Sequence, residues 1–524
     1  MNRATKIIEL PALTVDLLKA NGVLIDNIFA NLWREIGMKT VLSRAGFNKR
    51  SGTPMSDVIF SLMLWLWLQK ESIGMFAREC LQGAMGKDVL YDTMNREDLN
   101  WRKFHEQVAY KAVQTFKTSG KKAYVVDDTV AQRFGKKMPG ISSHFDHTSG
   151  RHMMGQQVLT LGLSFDEGFV PLDSELFISQ TKAIELHEPF EDGRSIAAKR
   201  YRIAQQCTKP EMVSAMVKRA LTAGIMADYL LADAWFGTKS MIRLTQETAL
   251  VPVLRMKKNN MKYRLSEFVC GETVSRELDV KALYKHYVRK SWQPIRGQKY
   301  QAKIVDVELN LAGSKDHEEW VKVRLLFVRG NADDTQATVG KHDWAVFLTT
   351  DMTLSPAEIL ELYSLRWAIE VYFKEAKQHL GFLKEQSNHY AAYIASIHLT
   401  AIRFCLLVIA KQTQGAAGIA LMRQKLCSNS TDISFASKLW QLFRAVITGA
   451  LDELRVVLGA VATLVMETID AHIQCLFTQV LQLDPRTLRL ELCKSMLYGG
   501  YMGENEHRNF SYKKQEAWIL HEGL

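Results

Sequence analysis

The sequence predicts an α/β protein: a mixed strand–helix core, interrupted by a β-rich insertion and flanked by N- and C-terminal helical regions. Three observations lead there. Apolar residues recur at helical spacing before Lys121 and again after Gly381. From Lys121 onward, short β-branched runs alternate with helical patterns, the order that builds an α/β core. Between Lys257 and Asp343 the pattern becomes strand-like and rich in Lys and Arg. The expected organisation is therefore a helical N-terminal region at 1–118, the first part of the core at 119–256, the insertion at 257–343, the second part of the core at 344–385 and a helical region at 386–524.

The bulk properties narrow the class. A chain of 524 residues is long enough for about two to four domains and a large core. With 47% hydrophobic and 23% charged residues and only 10 Pro, it is a globular rather than a disordered composition. A net charge of +11 favours an acidic partner, most simply nucleic acid. The seven cysteines are scattered, odd in number and never in a CxxC pair, which argues against a disulfide framework or zinc ribbon and for reduced thiols. The first twenty residues lack the apolar core and cleavage site of a signal peptide. The apolar runs Val58–Leu68 and Phe404–Ala410 are too short to span a bilayer, so both are expected as buried helices in a soluble, cytoplasmic protein.

Taken in order, helices are expected near 13–20, 26–45, 55–69, 72–83 and 98–117, broken at Gly22, Gly46, Gly52 and Pro54. The basic turn Phe47-Asn48-Lys49-Arg50 and the cluster Arg96, Arg102, Lys103 suit either DNA phosphates or a solvated helical face. Ala123–Val126 reads as a short strand ending on Asp127-Asp128-Thr129. Val158–Phe165 and Phe169–Phe177 follow as strands joined by the hairpin signal Asp166-Glu167-Gly168. Lys209–Ala223 is helical, Tyr229–Ala232 is a buried strand ending on Asp233, Thr238–Glu247 is a helix and Leu250–Met256 a strand. In the insertion, Tyr300–Leu311 and Trp320–Val328 alternate as strands, and Val346–Thr349 returns to the core.

Ser355 to Gly381 then reads as one long helix. Ser355 is a good N-cap, Pro356 suits the first helical position, Glu358 completes a capping box and Gly381 supplies the stop. At about 100° per residue, Tyr363, Arg366, Glu370 and Lys377 share one polar face, and Leu362, Leu365, Ile369, Phe373, Ala376 and Leu380 form the apolar one.

Asp127 and Asp233 each end a buried strand, where open α/β sheets gather their chemistry, and Glu370 lies on the helix that packs back on that sheet. If the two strands are neighbours, the three carboxylates converge. Left alone they would repel; a pair of Mg²⁺ ions resolves the repulsion and serves phosphodiester chemistry. Arg366 and Lys377 would then meet substrate phosphates.

Tyr363-x2-Arg366-x3-Glu370-x6-Lys377 resembles the YREK signature of the IS4-type bacterial insertion-sequence transposases, and the order Asp127, Asp233, β-rich insertion, Glu370 resembles their ribonuclease-H-like DDE domain over about residues 121–381. Residues 91–104 (YDTMNREDLNWRKF) are also similar to the N-terminal region of that family. The resemblance implies that Asp127, Asp233 and Glu370 hold two catalytic Mg²⁺ ions, with Mn²⁺ as a substitute, and that Tyr363, Arg366 and Lys377 bind transposon-end DNA. It further implies double-stranded DNA as partner and a synaptic homodimer or larger assembly, with the C-terminal helices as the dimerising region. The Asp-x-Ser/Thr pattern of the family selects Asp127 with Thr129 over the adjacent Asp128, which strand alternation turns to the opposite face. The family's usual charged residues after the second Asp are replaced by Ala234-Trp235-Phe236-Gly237.

Other motifs carry less. His144, His147 and Asp146 lie in a polar segment, 142–151, with His152 next to it, without zinc-site spacing, and an ordered turn or a DNA-contacting loop is expected there. Trp292, Trp320 and Trp344 are core residues by default, with base stacking as the alternative. Gly237-Thr238-Lys239-Ser240 lacks the upstream Gly of a phosphate loop, and no Gly-x-Ser-x-Gly elbow occurs. The expected activity is DNA cleavage followed by strand transfer; a nuclease of the same fold and a silent DNA-binding repressor are the alternatives.

Overall fold

The computed structural model describes residues 28–435, apart from 50, 82–84, 117–119, 147–149, 271, 296–299, 313–317 and 331–343, together with 461, 464, 465 and 468. The helix expected at 13–20, the break at Gly22, Arg50, His147 and the polar C-terminal tail lie outside the described residues. The chain divides into two units.

One unit draws on Met1–Lys111, Gln378–Glu385 and Ala391–Met502. Its first helices are α1 (Ile28–Glu35), α2 (Met38–Arg44), α3 (Met55–Trp67), α4 (Ile73–Cys80) and α5 (Lys87–Asn95), and it includes most of α6 (Trp101–Gln114). The single helix expected over 26–45 is two, because Gly37 takes a left-handed φ of 65° that side chains disfavour. α3 is buried on nearly its whole circumference, as its apolar run implies. α4 starts where the Ser72 hydroxyl accepts the Met75 N–H. α5 escapes sequence reading because only Leu90, Thr93 and Met94 are buried, too narrow a stripe to announce a helix.

The other unit draws on Ala112–Lys377, Gln386–Tyr390 and Gly503–Leu524. It is built on β1 (Ala123–Gln132), β2 (Ser142–Asp146), β3 (Arg151–Phe165), β4 (Gly168–Phe177), α7 (Ile196–Gln206), α8 (Lys209–Thr222), β5 (Tyr229–Ala232), α9 (Lys239–Glu247) and β6 (Val251–Arg255). There follow β7 (Lys262–Val269), β8 (Glu272–Asp279), α10 (Val280–Tyr287), β9 (Gln293–Pro294), β10 (Tyr300–Asn310), β11 (Trp320–Gly330), β12 (Trp344–Thr349), α11 (Pro356–Ser364) and α12 (Trp367–His379), whose last two residues fall in the first unit.

The twelve strands among the described residues form one mixed sheet in the order β2-β3-β1-β5-β6-β12-β11-β10-β7-β8, with β4 on β3 and β9 on β10. β1, β5 and β6 run parallel, and β3 and β12 are antiparallel to their neighbours. The strands between Lys257 and Asp343 thus extend the same sheet beyond β12. Sequence reading ends the first strand at Val126; β1 instead runs to Gln132, because β3 pairs with it throughout, from Ala123↔Ser164 to Gln132↔Gly155. Opposite Leu161/Gly162 the β3–β4 register shifts. This irregularity lets Phe169 lie over Gly162, where a Cβ would fall 2.1 Å from the ring. Farther along β4, Glu175 pairs with Arg200 of α7 at 3.0 Å and Asp173 with Arg219 of α8 at 2.7 Å. The 142–151 segment is not a loop: Ser142↔Gly155 to Asp146↔Arg151 is an antiparallel hairpin.

The helix expected over 355–381 is α11 and α12 with a turn at Leu365-Arg366. Its start is as read, with the Ser355–Glu358 capping box and Pro356 in the first turn. At the turn the backbone tightens to i→i+3 bonds, Arg366 N–H to Tyr363 O and Ile369 N–H to Arg366 O. The Leu365 carbonyl, which a continuous α-helix would give to Ile369, accepts the Ser164 hydroxyl at 2.9 Å. That partner is 201 residues away in sequence and is invisible to helical periodicity.

Back in the first unit, α13 (Tyr390–Gln414) is long and apolar enough to cross a membrane by length and composition, but its apolar window is wholly buried within the protein. Sequence reading found only Phe404–Ala410, because Ser396, His398, Thr400 and Arg403 interrupt the run. All four are buried, and Arg403 donates to the carbonyls of Leu380 and Leu62.

Candidate active site

The parallel pairing of β1 with β5 ends at Val126↔Ala232. Asp127 and Asp233 are the next residue on each strand, so the two carboxylates leave the centre of the sheet side by side. The Asp233 carboxylate accepts the Trp235 N–H at 2.9 Å and the Phe236 N–H at 3.4 Å, which fixes the turn after β5. Gly237 permits that turn to pass close to β6: a Cβ there would sit 2.5 Å from the Arg255 carbonyl oxygen.

Glu370 arrives from α12, and Arg366 joins it to the strands. The Arg366 guanidinium, 1% exposed, donates Nη1 to Asp127 at 2.6 Å and Nη2 to Glu370. Both carboxylates keep some contact with solvent, 17% for Asp127 and 25% for Glu370. The tightened turn at Leu365-Arg366 places this arginine inward, between the acids. Burial pushes the Asp127 carboxyl well above the ordinary carboxylate range; Arg366 opposes it, and Asp233, Asp128 and Glu370 add to the rise. Asp233 is raised for the same first reason, burial, with Asp128 adding and Arg366 opposing.

Of the other expected positions, Tyr363 is 1% exposed, its ring edge-on to Phe347 at 4.7 Å. It forms part of the core beneath the acids and not a surface stripe. Lys377 is exposed and donates to the Val130 carbonyl of β1 at 3.2 Å, placing its charge just downstream of Asp127. Asp128, on the opposite face of β1, receives Lys209 at 2.7 Å and Gln157 at 2.6 Å. Lys209 also lies 4.2 Å over the Trp235 ring, so it links the residue beside Asp127 with the loop after Asp233. Sequence reading missed Lys209, because its position just after the Thr208 cap looks like an ordinary helix start.

His144 lies within β2, its Nε2 3.0 Å from the Ser142 hydroxyl. Trp344 stacks on Tyr284 at 4.2 Å, Trp292 meets Arg329 at 4.1 Å and Trp320 meets Arg264 at 3.7 Å, so all three have protein partners. Thr238, in the rejected phosphate-loop motif, caps α9.

Among the described residues, no group of three or more His, Cys, Asp or Glu side chains closes around a metal position. The donor chemistry nevertheless fits a hard divalent cation. Asp127, Asp233 and Glu370 offer only carboxylate oxygens, and their mutual repulsion, which adds to the rise that burial causes at Asp127, calls for positive charge. Arg366 supplies that charge in this structure.

Residues 68–276 match the family model described as a DDE superfamily endonuclease, and residues 211–406 match the transposase DDE domain. No curated protein matches the chain. The two matches support a transposase-type nuclease of the DDE kind acting on DNA, a class that generally uses divalent metal ions, typically Mg²⁺. Asp127 and Asp233 lie within the first match, Asp233 and Glu370 within the second.

Proposed function

We propose that the chain is an IS4-type transposase: it binds the terminal inverted repeats of its own insertion sequence, cuts them, and joins the freed 3′-hydroxyls to target DNA. The observation that carries this reading is the joining of Asp127 and Glu370 through one buried arginine, with Asp233 in register beside Asp127. Carboxylates from two central strands and a distant helix meet where the sheet opens, and the YREK spacing supplies both the glutamate and its arginine. The antiparallel β4-β3-β1 group followed by parallel β5 and β6 supports a ribonuclease-H-like core.

In this reading Asp127, Asp233 and Glu370 would hold two Mg²⁺ ions, which supply activation of the attacking oxygen and stabilisation of the leaving one. The protein's own residues do the rest. The sheet holds two carboxylates rigidly, with the Trp235 and Phe236 N–H groups orienting Asp233. Arg366 keeps Asp127 and Glu370 paired, and Lys377 meets a substrate phosphate near the cut. Water is the first nucleophile and the freed 3′-hydroxyl the second, both at the same carboxylates. Paired ends require a synaptic dimer or larger assembly, and the protein works in the bacterial cytoplasm.

The test uses duplexes taken from the DNA flanking the reading frame, incubated with Mg²⁺ and a supercoiled target. Cleaved ends and joined products are expected, and Asp233→Asn should remove both while leaving DNA binding intact. Cutting without joining would establish the nuclease alternative, and undiminished cutting by Asp233→Asn would remove the proposed site. Binding without cutting by the unaltered protein would favour the repressor.

A further inference from the structure

Downstream of Asp127, β1 runs to Gln132 and delivers the turn Arg133-Phe134-Gly135-Lys136-Lys137. Phe134 is 87% exposed, the most exposed large hydrophobic side chain among the described residues. Leaving a phenylalanine ring in water forgoes its burial, which a fold gains nothing by doing. The ring borders a cavity of about 640 Å³ lined, among the described residues, by Arg133, Lys136, Arg151 and His152 with Gln132 and apolar side chains. The Arg133 guanidinium is held by Gln156 at 3.0 Å, whereas Lys136 and Arg151 reach into solvent. Lys377, on the Val130 carbonyl, lies between this turn and the acids along β1. An apolar tip flanked by these cations is complementary to a phosphate-lined duplex whose bases can be parted.

We propose that the Arg133–Lys137 turn is a DNA wedge: Phe134 enters a duplex between neighbouring base pairs, and Lys136 and Arg151 hold the phosphates on either side. The proposal rests on the DNA-cutting reading above and adds a position to it. Phe134 is seven residues on from Asp127, at most about 23 Å of extended chain, so the parted step lies within about seven base pairs of the cut phosphate.

The experiment uses the full chain without divalent metal and duplexes from the gene's flanks, carrying a fluorescent adenine analogue at successive positions. The unaltered protein should raise the fluorescence at one step within that distance. Phe134→Ala should abolish the rise and weaken binding about tenfold, the value of one lost base–aromatic contact, and Phe134→Trp should retain both. Lys136→Ala and Arg151→Ala should each lower the slope of log affinity against log salt by about 1 while keeping the rise at saturating protein. A rise that persists in Phe134→Ala, salt slopes that do not change, or a Phe134→Ala effect confined to self-association without DNA would each overturn the wedge. Unaltered protein that cuts DNA while Phe134→Ala binds and unstacks normally refutes the wedge alone; absence of DNA binding refutes both readings.

Discussion

Replacing Arg366 by Met should expose how the candidate site is balanced. The guanidinium is almost wholly buried and pairs with two carboxylates, so its loss removes the positive group that joins them. Breaking a fully buried ion pair from one side costs about 3–5 kcal/mol, and an exposed pair less than about 1. The acids here keep 17% and 25% of their side-chain surface in water and can take up protons, which lowers the figure to about 2–3 kcal/mol for the two together. In a unit of this size that is a fall in Tm of about 5 °C, read by calorimetry at neutral pH.

Two further measurements make the prediction specific. The Asp127 carboxyl already has a folded pKa above its unfolded value, so it favours the fold most below the unfolded pKa and loses that contribution as pH rises through the folded one. Removing Arg366 raises that pKa further, and the variant's deficit should therefore shrink as pH is lowered from neutral towards the carboxylate range. Mg²⁺ should stabilise the variant by about 1.4 kcal/mol at tenfold its dissociation constant, and the parent by less. A variant within about 0.5 kcal/mol of the parent, or one whose deficit ignores both pH and Mg²⁺, would refute the idea that Arg366 is the counter-charge of these acids.

Three other perturbations follow from packing and charge. Ser164→Ala removes the hydroxyl from the Leu365 carbonyl and should cost about 1 kcal/mol by denaturant titration, with a larger loss in cleavage rate because the turn that aims Arg366 and Glu370 is freed. Gly162→Ala sets a methyl group into the Phe169 ring and should cost about 2 kcal/mol or more; an unchanged midpoint would show that β4 can yield there. His144 is held at a pKa of about 4, first by burial and then by Lys209, against 6.5 when unfolded. Its neutral ring supports the fold fully above 6.5, and that support, about 2–3 kcal/mol, is lost as pH falls from 6.5 towards 4. His144→Gln should flatten the Tm profile across that window.

The two aspartates were legible because each follows a short apolar run, and neighbouring parallel strands bring such ends together. The full length of β1 was not: Asp127, Asp128 and Thr129 are all polar, and a strand with polar residues in its middle reads as a strand that has stopped. Glu370 was legible from its spacing to Tyr363 and Arg366, whereas the direction of Arg366 was not. Placing it on an outward stripe assumed a straight helix, and the turn that redirects it depends on Ser164 of β3. Lys209 and α5 were missed for opposite reasons, one an ordinary-looking cap neighbour and the other an element with too little apolar surface to show its period.

The position of β12 has a consequence for how this protein's length can vary. Since β12 hydrogen-bonds directly to β6 on one side and to β11 on the other, the chain from Met256 to Asp343 departs and returns without interrupting the strands that carry the acids. A shorter descendant could lose β7–β11 and still close β6 against β12, provided the newly bared edge, Trp344 to Thr349, gained charges or a covering segment. That stretch is where evolution, or an engineer, can add or remove strands while the three carboxylates keep their places.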